Sequence, residues 1–309
     1  MSCVELINIT TSDKLRLPGL LYSPLKPTKK VAIWLHGMGD SGIFYSPDWI
    51  NTIGKSLTDR NIALLAFNNR GAHNIKTIKI LDDSLPEDQQ RYQGGTYFEK
   101  IADCVQDIDG ALLFLKERGF STFYLLGHST GANKICAYHA RAKDNPFSKY
   151  VLAGPADDSG LYYVELGKKK FQRALAYAKR MIKHDKTLHI MPKYTGMYPF
   201  SAQAAKDMID PDGDYNTFPF YETTTERIGH KPLFKEYSKI DRPTLVILGD
   251  SDEYTGTAGG AAAALHLLKE YFPKKVLSSS AFKLIEEADH SFHGAEFIFA
   301  ETVASWLAD

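Results

Sequence analysis

Residues 123–140 read FYLLGHSTGANKICAYHA. The apolar run FYLL at 123–126 has the length of a buried strand. Ile135, Ala137, Tyr138 and Ala140 mark a helix pattern that follows directly. Between the two stands G-x-S-x-G, as Gly127, His128, Ser129, Thr130 and Gly131. A serine at such a sharp strand-to-helix turn exposes its hydroxyl through a strained backbone, and small residues two before and two after let strand and helix approach. The letters alone arise by chance in about one chain in ten of this length, so the context carries the reading. The competing reading is an ordinary β-to-α turn with a capping serine.

The same rhythm extends outward. VELINIT (4–10) and LRLPGLLY (15–22) read as a hairpin joined by the polar turn 11–14. Strand-length apolar runs recur at 31–35, 62–67, 123–126, 150–153, 244–248 and 282–285, with helix-period segments between most of them. The clearest helix is expected over 97–118, where Ile101, Val105, Ile108, Leu112 and Leu115 recur at three- and four-residue steps and Gly119 ends the pattern. Apolar strands alternating with helices predict an α/β fold with a mostly parallel, eight-stranded sheet covered on both faces. The rhythm breaks between Gly154 and Pro243. Residues 161–184 form a basic amphipathic helix pattern, and 189–240 are rich in Tyr, Pro, Asp and Thr. Such a stretch is too long for a loop in a compact domain. It is expected to be an inserted, mostly helical cap over 161–240, with 1–160 and 241–309 forming one catalytic domain. Residues 71–95 are expected to be irregular.

A serine hydroxyl is a poor nucleophile at neutral pH and needs a histidine base oriented by a carboxylate. In the strand–turn–helix setting of this motif the partners follow in the order serine, acid, histidine. The run at 244–248 ends in GDSDEY (249–254), which offers Asp250 and Asp252. The run at 282–285 ends in EEADHSFH (286–293), which offers His290 and His293.

With these three features in order, the chain resembles the α/β-hydrolase superfamily of serine esterases over essentially its full length, with a cap inserted after the sixth strand. The family's acid commonly ends a G-x-x-D stretch, which here is Asp252, and its histidine lies in (A/D)-H-x-F, which here is His290. The resemblance therefore implies a triad of Ser129, Asp252 and His290, with Asp250 and His293 as surface-loop rivals. Within the superfamily, residues 94–108, 201–220 and 249–254 are similar to the subgroup that contains the fungal siderophore esterases and their bacterial relatives. The rest of the cap departs from that subgroup and carries no substrate across.

Residues 36–42, HGMGDSG, follow the strand VAIWL and also fit the dinucleotide fingerprint G-x-G-x-x-G. That reading needs an acid at the end of the next strand for the ribose hydroxyl, and the next strand ends Ala66-Phe67-Asn68-Asn69-Arg70. In the family it resembles, the loop after the third strand begins His-Gly. One oxyanion donor is a backbone N–H just beyond it, and the other is the N–H after the nucleophile. The resemblance thus implies Met38 and Thr130 as backbone donors, with His36 holding the loop by a local hydrogen bond and His128 packed between helix and sheet.

The chain has 37 Lys plus Arg and 37 Asp plus Glu, so no net charge draws it to nucleic acid or an anionic membrane. Lys168-Lys169-Lys170 reads as a solvated helix face. Cys3, Cys104 and Cys136 form no disulfide framework, and the last two read as small core residues. No secretory signal and no apolar run of membrane-spanning length occurs, so a cytoplasmic protein is expected. Asp210-Pro211-Asp212-Gly213-Asp214 begins like a calcium loop but lacks the glutamate at its twelfth position, which is Tyr221. It reads as a solvated acidic turn. His184 and His189 stand without further ligands, so neither metal nor cofactor is expected. Tyr194, Tyr198, Phe200, Phe218, Phe220 and Tyr221 either line an acyl or aryl pocket or form the cap's own core. The expected partner is a small-molecule ester cleaved through an acyl-enzyme on Ser129. Other acyl-transfer reactions (thioesterase, lactonase, amidase, acyltransferase) and a non-catalytic binding protein are the alternatives. Nothing in the letters selects an oligomeric state.

Overall fold

The eight apolar runs become the eight strands of one sheet. The computed structural model describes residues 3–43 and 47–309. β1 (Cys3–Thr10) and β2 (Arg16–Ser23) form the expected antiparallel hairpin. β3 (Lys30–Leu35), α1 (Pro47–Thr58) and β4 (Ala63–Phe67) follow as a β–α–β unit. The stretch expected to be irregular instead contains a small hairpin, β5 (Lys76–Lys79) with β6 (Arg91–Gly94). Only Ile78 of β5 is buried, so the run carries too weak an apolar alternation to read as a strand. Next come α2 (Cys104–Glu117), β7 (Thr122–His128), α3 (Thr130–Arg141) and β8 (Phe147–Ala153). α4 (Asp158–Lys183), α5 (Ala202–Ile209) and α6 (Phe220–Thr224) precede the return to the sheet at β9 (Thr244–Gly249). The chain ends with α7 (Ala261–Glu270), α8 (Lys274–Leu277), β10 (Ala281–Ile285) and α9 (Glu296–Ala308).

The sheet order is β1-β2-β4-β3-β7-β8-β9-β10. From β4 to β10 every neighbour is parallel, and only β1 and β2 run against the rest. Successive side chains of a strand point to opposite faces, and the core divides accordingly. Trp34, Leu64, Leu126, Val151 and Ile247 pack under α1 and α9. Ile33, Leu65, Leu125, Leu152 and Leu248 pack under α2 and α3, in the same apolar cluster as Phe171, Phe200, Phe218 and Tyr237 from between β8 and β9. The segment between β8 and β9 contributes no strand to the sheet, yet its core is continuous with the sheet's.

Two expected helices change shape. The helix expected over 97–118 begins at Cys104, behind a 3-10 turn at Ile101–Asp103. Its first turn is bound elsewhere: the Ile101 N–H donates to Asp207 at 2.7 Å and the Tyr97 carbonyl accepts from the Ser201 N–H at 2.7 Å. Tertiary hydrogen bonds outweigh local helix propensity here. The helix expected over 161–184 starts at Asp158, capped by Asp157 through the Gly160 N–H at 2.8 Å. It kinks at Gly167, whose φ of 70° only glycine adopts readily. The acidic stretch 210–214 is not a solvated turn throughout. Asp210 is buried and paired with Lys179 and Lys206, and Asp212 accepts the His230 and Lys231 N–H groups. Lys168, Lys169 and Lys170 are exposed, and Cys104 and Cys136 are buried free thiols. No helix is long and apolar enough to cross a membrane among the described residues.

Arg70, read in the sequence only as a strand-end residue without an acid, is a buried hub. Its Nε and Nη2 donate to Asp107 at 2.9 and 2.8 Å, and Nη1 reaches Asp13 at 3.0 Å. Removing one partner of such a pair leaves a charge buried without compensation. Arg70→Leu is expected to lower the unfolding free energy by roughly 3–5 kcal/mol, read from urea denaturation. Adding Asp107→Leu should restore part of that loss; a double variant no better than the single one would mean the pair is not the cause.

Candidate active site

Ser129 sits between β7 and α3 with φ 54° and ψ −124°. Such a conformation costs a non-glycine residue about 1–3 kcal/mol and survives only where packing dictates it. The dictating packing is visible. A Cβ on Gly127 would lie 2.3 Å from the Gly131 carbonyl oxygen, and one on Gly131 would lie 2.3 Å from that of Leu35. Both positions are therefore closed to larger residues. The Ser129 N–H donates to the Ala153 carbonyl at 2.8 Å, which pins the turn to β8. The capping-serine alternative fails on geometry, since the Ser129 side chain makes no cap hydrogen bond.

Asp252 stands three residues past β9. It caps the 3-10 turn Glu253–Ala258 through the Tyr254 N–H at 3.0 Å, which fixes its carboxylate. His290, five residues past β10, brings Nδ1 to 2.9 and 3.0 Å from the two Asp252 oxygens. A carboxylate accepts only, so Nδ1 carries a proton, and in the neutral imidazole this leaves the lone pair on Nε2. The rivals are engaged otherwise, although His293 stands on the wall of the same cavity. Asp250 is exposed and accepts from Ser251, while His293 is exposed and pairs with Asp289 at 2.7 Å.

His128 does pack between sheet and helix, but it has a further contact that the sequence reading missed. Its Nε2 donates to the His290 carbonyl at 2.8 Å, and its ring lies edge-on to Trp49 and parallel to Trp34. Burial, helped by the nearby His290, lowers its pKa to about 3, so the ring is neutral. Tyr254 meets the His290 ring edge-on at 4.5 Å. His290 is thus held at its ring by Asp252 and Tyr254 and at its backbone by His128 and Glu253.

The loop that begins at His36 runs beside Ser129: a Cβ on Gly37 would sit 3.1 Å from the Ser129 Cβ. His36 is buried and donates Nδ1–H to the Gly37 carbonyl at 2.9 Å. Burial, with Lys134 nearby, depresses its pKa far below the usual histidine range. The Gly39 N–H donates to Thr96 at 2.8 Å, and the Ile43 N–H to Asn68 at 3.1 Å. Neither the Met38 nor the Thr130 N–H makes a backbone hydrogen bond among the described residues. The next three positions, 44–46, lie outside those residues.

A cavity of about 780 Å³ opens here, walled by Ser129, His290, His128, Met38, Trp49 and Tyr254, and Asp158 also faces it. Of the six aromatic residues proposed for pocket or core, Phe200, Phe218 and Phe220 are fully buried in the core, and none of the six lines this cavity. Among the described residues no group of His, Cys, Asp and Glu could hold a metal ion, and His189 contacts Tyr177 instead.

Solved structures with the same architecture include an esterase, Pf2001, from Pyrococcus furiosus, 15% identical, with a TM-score of 0.58 over 99% of this chain and 90% of that one. The esterase domain of a Rhodothermus marinus protein matches at 15% identity and TM-score 0.58, over 99% and 98% of the two chains. Est1E of Butyrivibrio proteoclasticus, solved with ferulic acid bound, matches at 13% identity and TM-score 0.61, over 97% of each. No curated protein matches in sequence. At these identities the likeness establishes the α/β-hydrolase fold. A family model described as "Protein of unknown function (DUF1749)" matches residues 98–308. That span is well over half of the chain, and the protein is a member of this family, built on the α/β-hydrolase fold.

Proposed function

We propose that the protein is a serine hydrolase of carboxylic esters. The observation that carries this reading is the Asp252–His290 pair, with Nδ1 engaged and Nε2 free, on the same cavity wall as the strained Ser129. In the proposed reaction Ser129 Oγ attacks the ester carbonyl while His290 Nε2 takes its proton. Asp252 stabilises the imidazolium that forms. The carbonyl oxygen becomes an oxyanion facing the N–H groups of Met38 and Thr130. As the C–O bond breaks, His290 passes its proton to the leaving alcohol. Water, activated by the same imidazole, then frees the acid from Ser129. We assign 161–240 as the cap; none of its residues walls this cavity, which the chain leading into it meets through Ala156 and Asp158. That fold neighbours bear the name esterase agrees with the reading, and the ester chosen is left to the cavity's own chemistry.

A fluorophosphonate probe, followed by intact-mass measurement, should add once to native protein and not at all to Ser129→Ala or heat-denatured protein. No adduct on native protein would favour a non-catalytic binder. Against a p-nitrophenyl ester, Ser129→Ala should lower kcat on the order of 10⁶-fold and Asp252→Asn about 10⁴-fold. The oxyanion donor at position 38 is a backbone group, so Met38→Ala should change little and Met38→Pro should cost roughly 10²–10³ in kcat; full activity in Met38→Pro would remove it from the site.

Two imidazoles adjoin the serine, and only one can be the base. With a folded pKa of about 3, His128 should stay neutral from about pH 4 to 8, with the proton on Nε2. Ring-nitrogen NMR reads this directly, and a His128 that titrates near 6.5 would contradict it. The unfolded chain takes up this proton first as pH falls. The stabilisation tied to neutral His128 is therefore full above about pH 6.5 and is lost as pH drops toward 3.

A further inference from the structure

Charge around the catalytic cavity is one-sided. Asp40, Asp48, Asp158, Glu253 and Glu296 line it, and among the described residues no lysine or arginine does, in a chain whose charges balance overall; His293, whose proton affinity is raised, also lines it but is paired with Asp289. Positions 44–46 (Phe, Tyr, Ser) add no charge. None of the five carboxylates forms an ion pair with lysine or arginine among the described residues. Several buried carboxylates elsewhere in the fold do: Asp107 has Arg70, Glu99 has Lys134, and Glu236 has Lys231, while the buried Asp157 and Asp207 accept backbone N–H groups instead.

Asp158 adds a separate observation. It is the first residue of α4, and its Oδ2 atom is buried with no hydrogen-bond partner. A buried acceptor left unpaired is costly, and a site built around a donor-bearing ligand supplies the missing partner. Burial, and then the neighbouring Asp157, raise its pKa to about 7, while His290 acts in the opposite direction. Burial likewise raises Asp40 to about 6. A bound cation would favour the ionised form of both. Trp49 and Tyr254 add aromatic surface to the same walls, which suits a cation as well as an apolar chain.

We propose that the cavity selects esters whose acyl or alcohol part carries a primary ammonium group, taken up as a hydrogen-bonded ion pair by the Asp158 carboxylate. The placement of the reacting bond rests on the esterase reading, so binding and turnover are measured separately. Binding is read by calorimetry on Ser129→Ala protein near pH 8, where both carboxyls are ionised and the ammonium stays charged. Two pairs of ligands differ only in that group: Nα-acetyl-lysine methyl ester against methyl 2-acetamidoheptanoate, and 6-aminohexyl acetate against heptyl acetate.

In at least one pair the ammonium ligand should bind roughly tenfold or more tightly, the scale of a hydrogen bond to a charged group. The ratio should fall toward one when Asp158→Asn is added and persist when Asp158→Glu is added instead, which separates loss of charge from loss of fold. Equal affinity in both pairs, or a ratio untouched by Asp158→Asn, overturns the proposal. Turnover of the same four esters by native protein tests the other reading. No hydrolysis with the binding preference intact overturns the esterase and keeps the cation site. Hydrolysis with no preference does the reverse.

Discussion

The backbone of Ser129 is the constraint on which the site depends. β7 delivers the chain to this residue, α3 leaves from it, and β3 lies so close that Gly131 touches the Leu35 carbonyl. No relaxed conformation fits that space, so the turn stays at φ 54°. The energy held there comes from two buried faces of sheet, not from the turn itself. The same close approach lays the His36 loop against Ser129.

Charges inside this protein fall into two kinds. One kind is internal and paired. Lys134, five residues beyond Ser129 on α3, is buried against Glu99 at 2.7 Å and reaches Asn69 at 3.3 Å. Arg70 does the same for Asp107 and Asp13. These pairs join the ends of β4, α2 and α3 behind the His36 loop, which hangs on the same region through Thr96 and Asn68. Desolvation makes such pairs weak sources of net stability, but a misplaced partner is costly, so they specify one arrangement. The other kind faces the cavity and forms no ion pair with lysine or arginine among the described residues. That contrast, rather than the number of acids, gives the cavity its chemical character.

The aromatic residues between β8 and β9 show how the inserted segment is anchored. Phe200, Phe218 and Phe220 extend the core over α2 and α3 instead of lining the cavity. Asp157 caps α4 and also accepts the Tyr221 N–H at 2.7 Å, which ties α4 to α6. Burial, opposed by those two N–H donors, raises Asp157 to about 7. Two helices of the inserted segment are thus tied to each other, and Ala156 and Asp158, the residues on either side of this capping aspartate, reach the cavity.

The sequence by itself determined what depends on local period and order. Apolar runs of strand length, helix-period segments between them and G-x-S-x-G at a strand–helix junction specify an α/β sheet with a serine at its elbow. Those signals lie within a few residues of each other, and side-chain periodicity expresses them directly. The choices between near neighbours were not local. Asp250 and Asp252 share one turn and His290 and His293 another; the sequence's own pattern left them open, and only the family resemblance pointed to one of each. The pairing of β9 with β10 brings the two turns together and lets Asp252 face His290 across 38 residues. The buried roles of Arg70 and Lys134, the His128 contact to the His290 backbone and the unpartnered Asp158 carried no sequence signal. Each depends on partners far away in the chain, which only the sheet order and the seating of the inserted segment bring into reach.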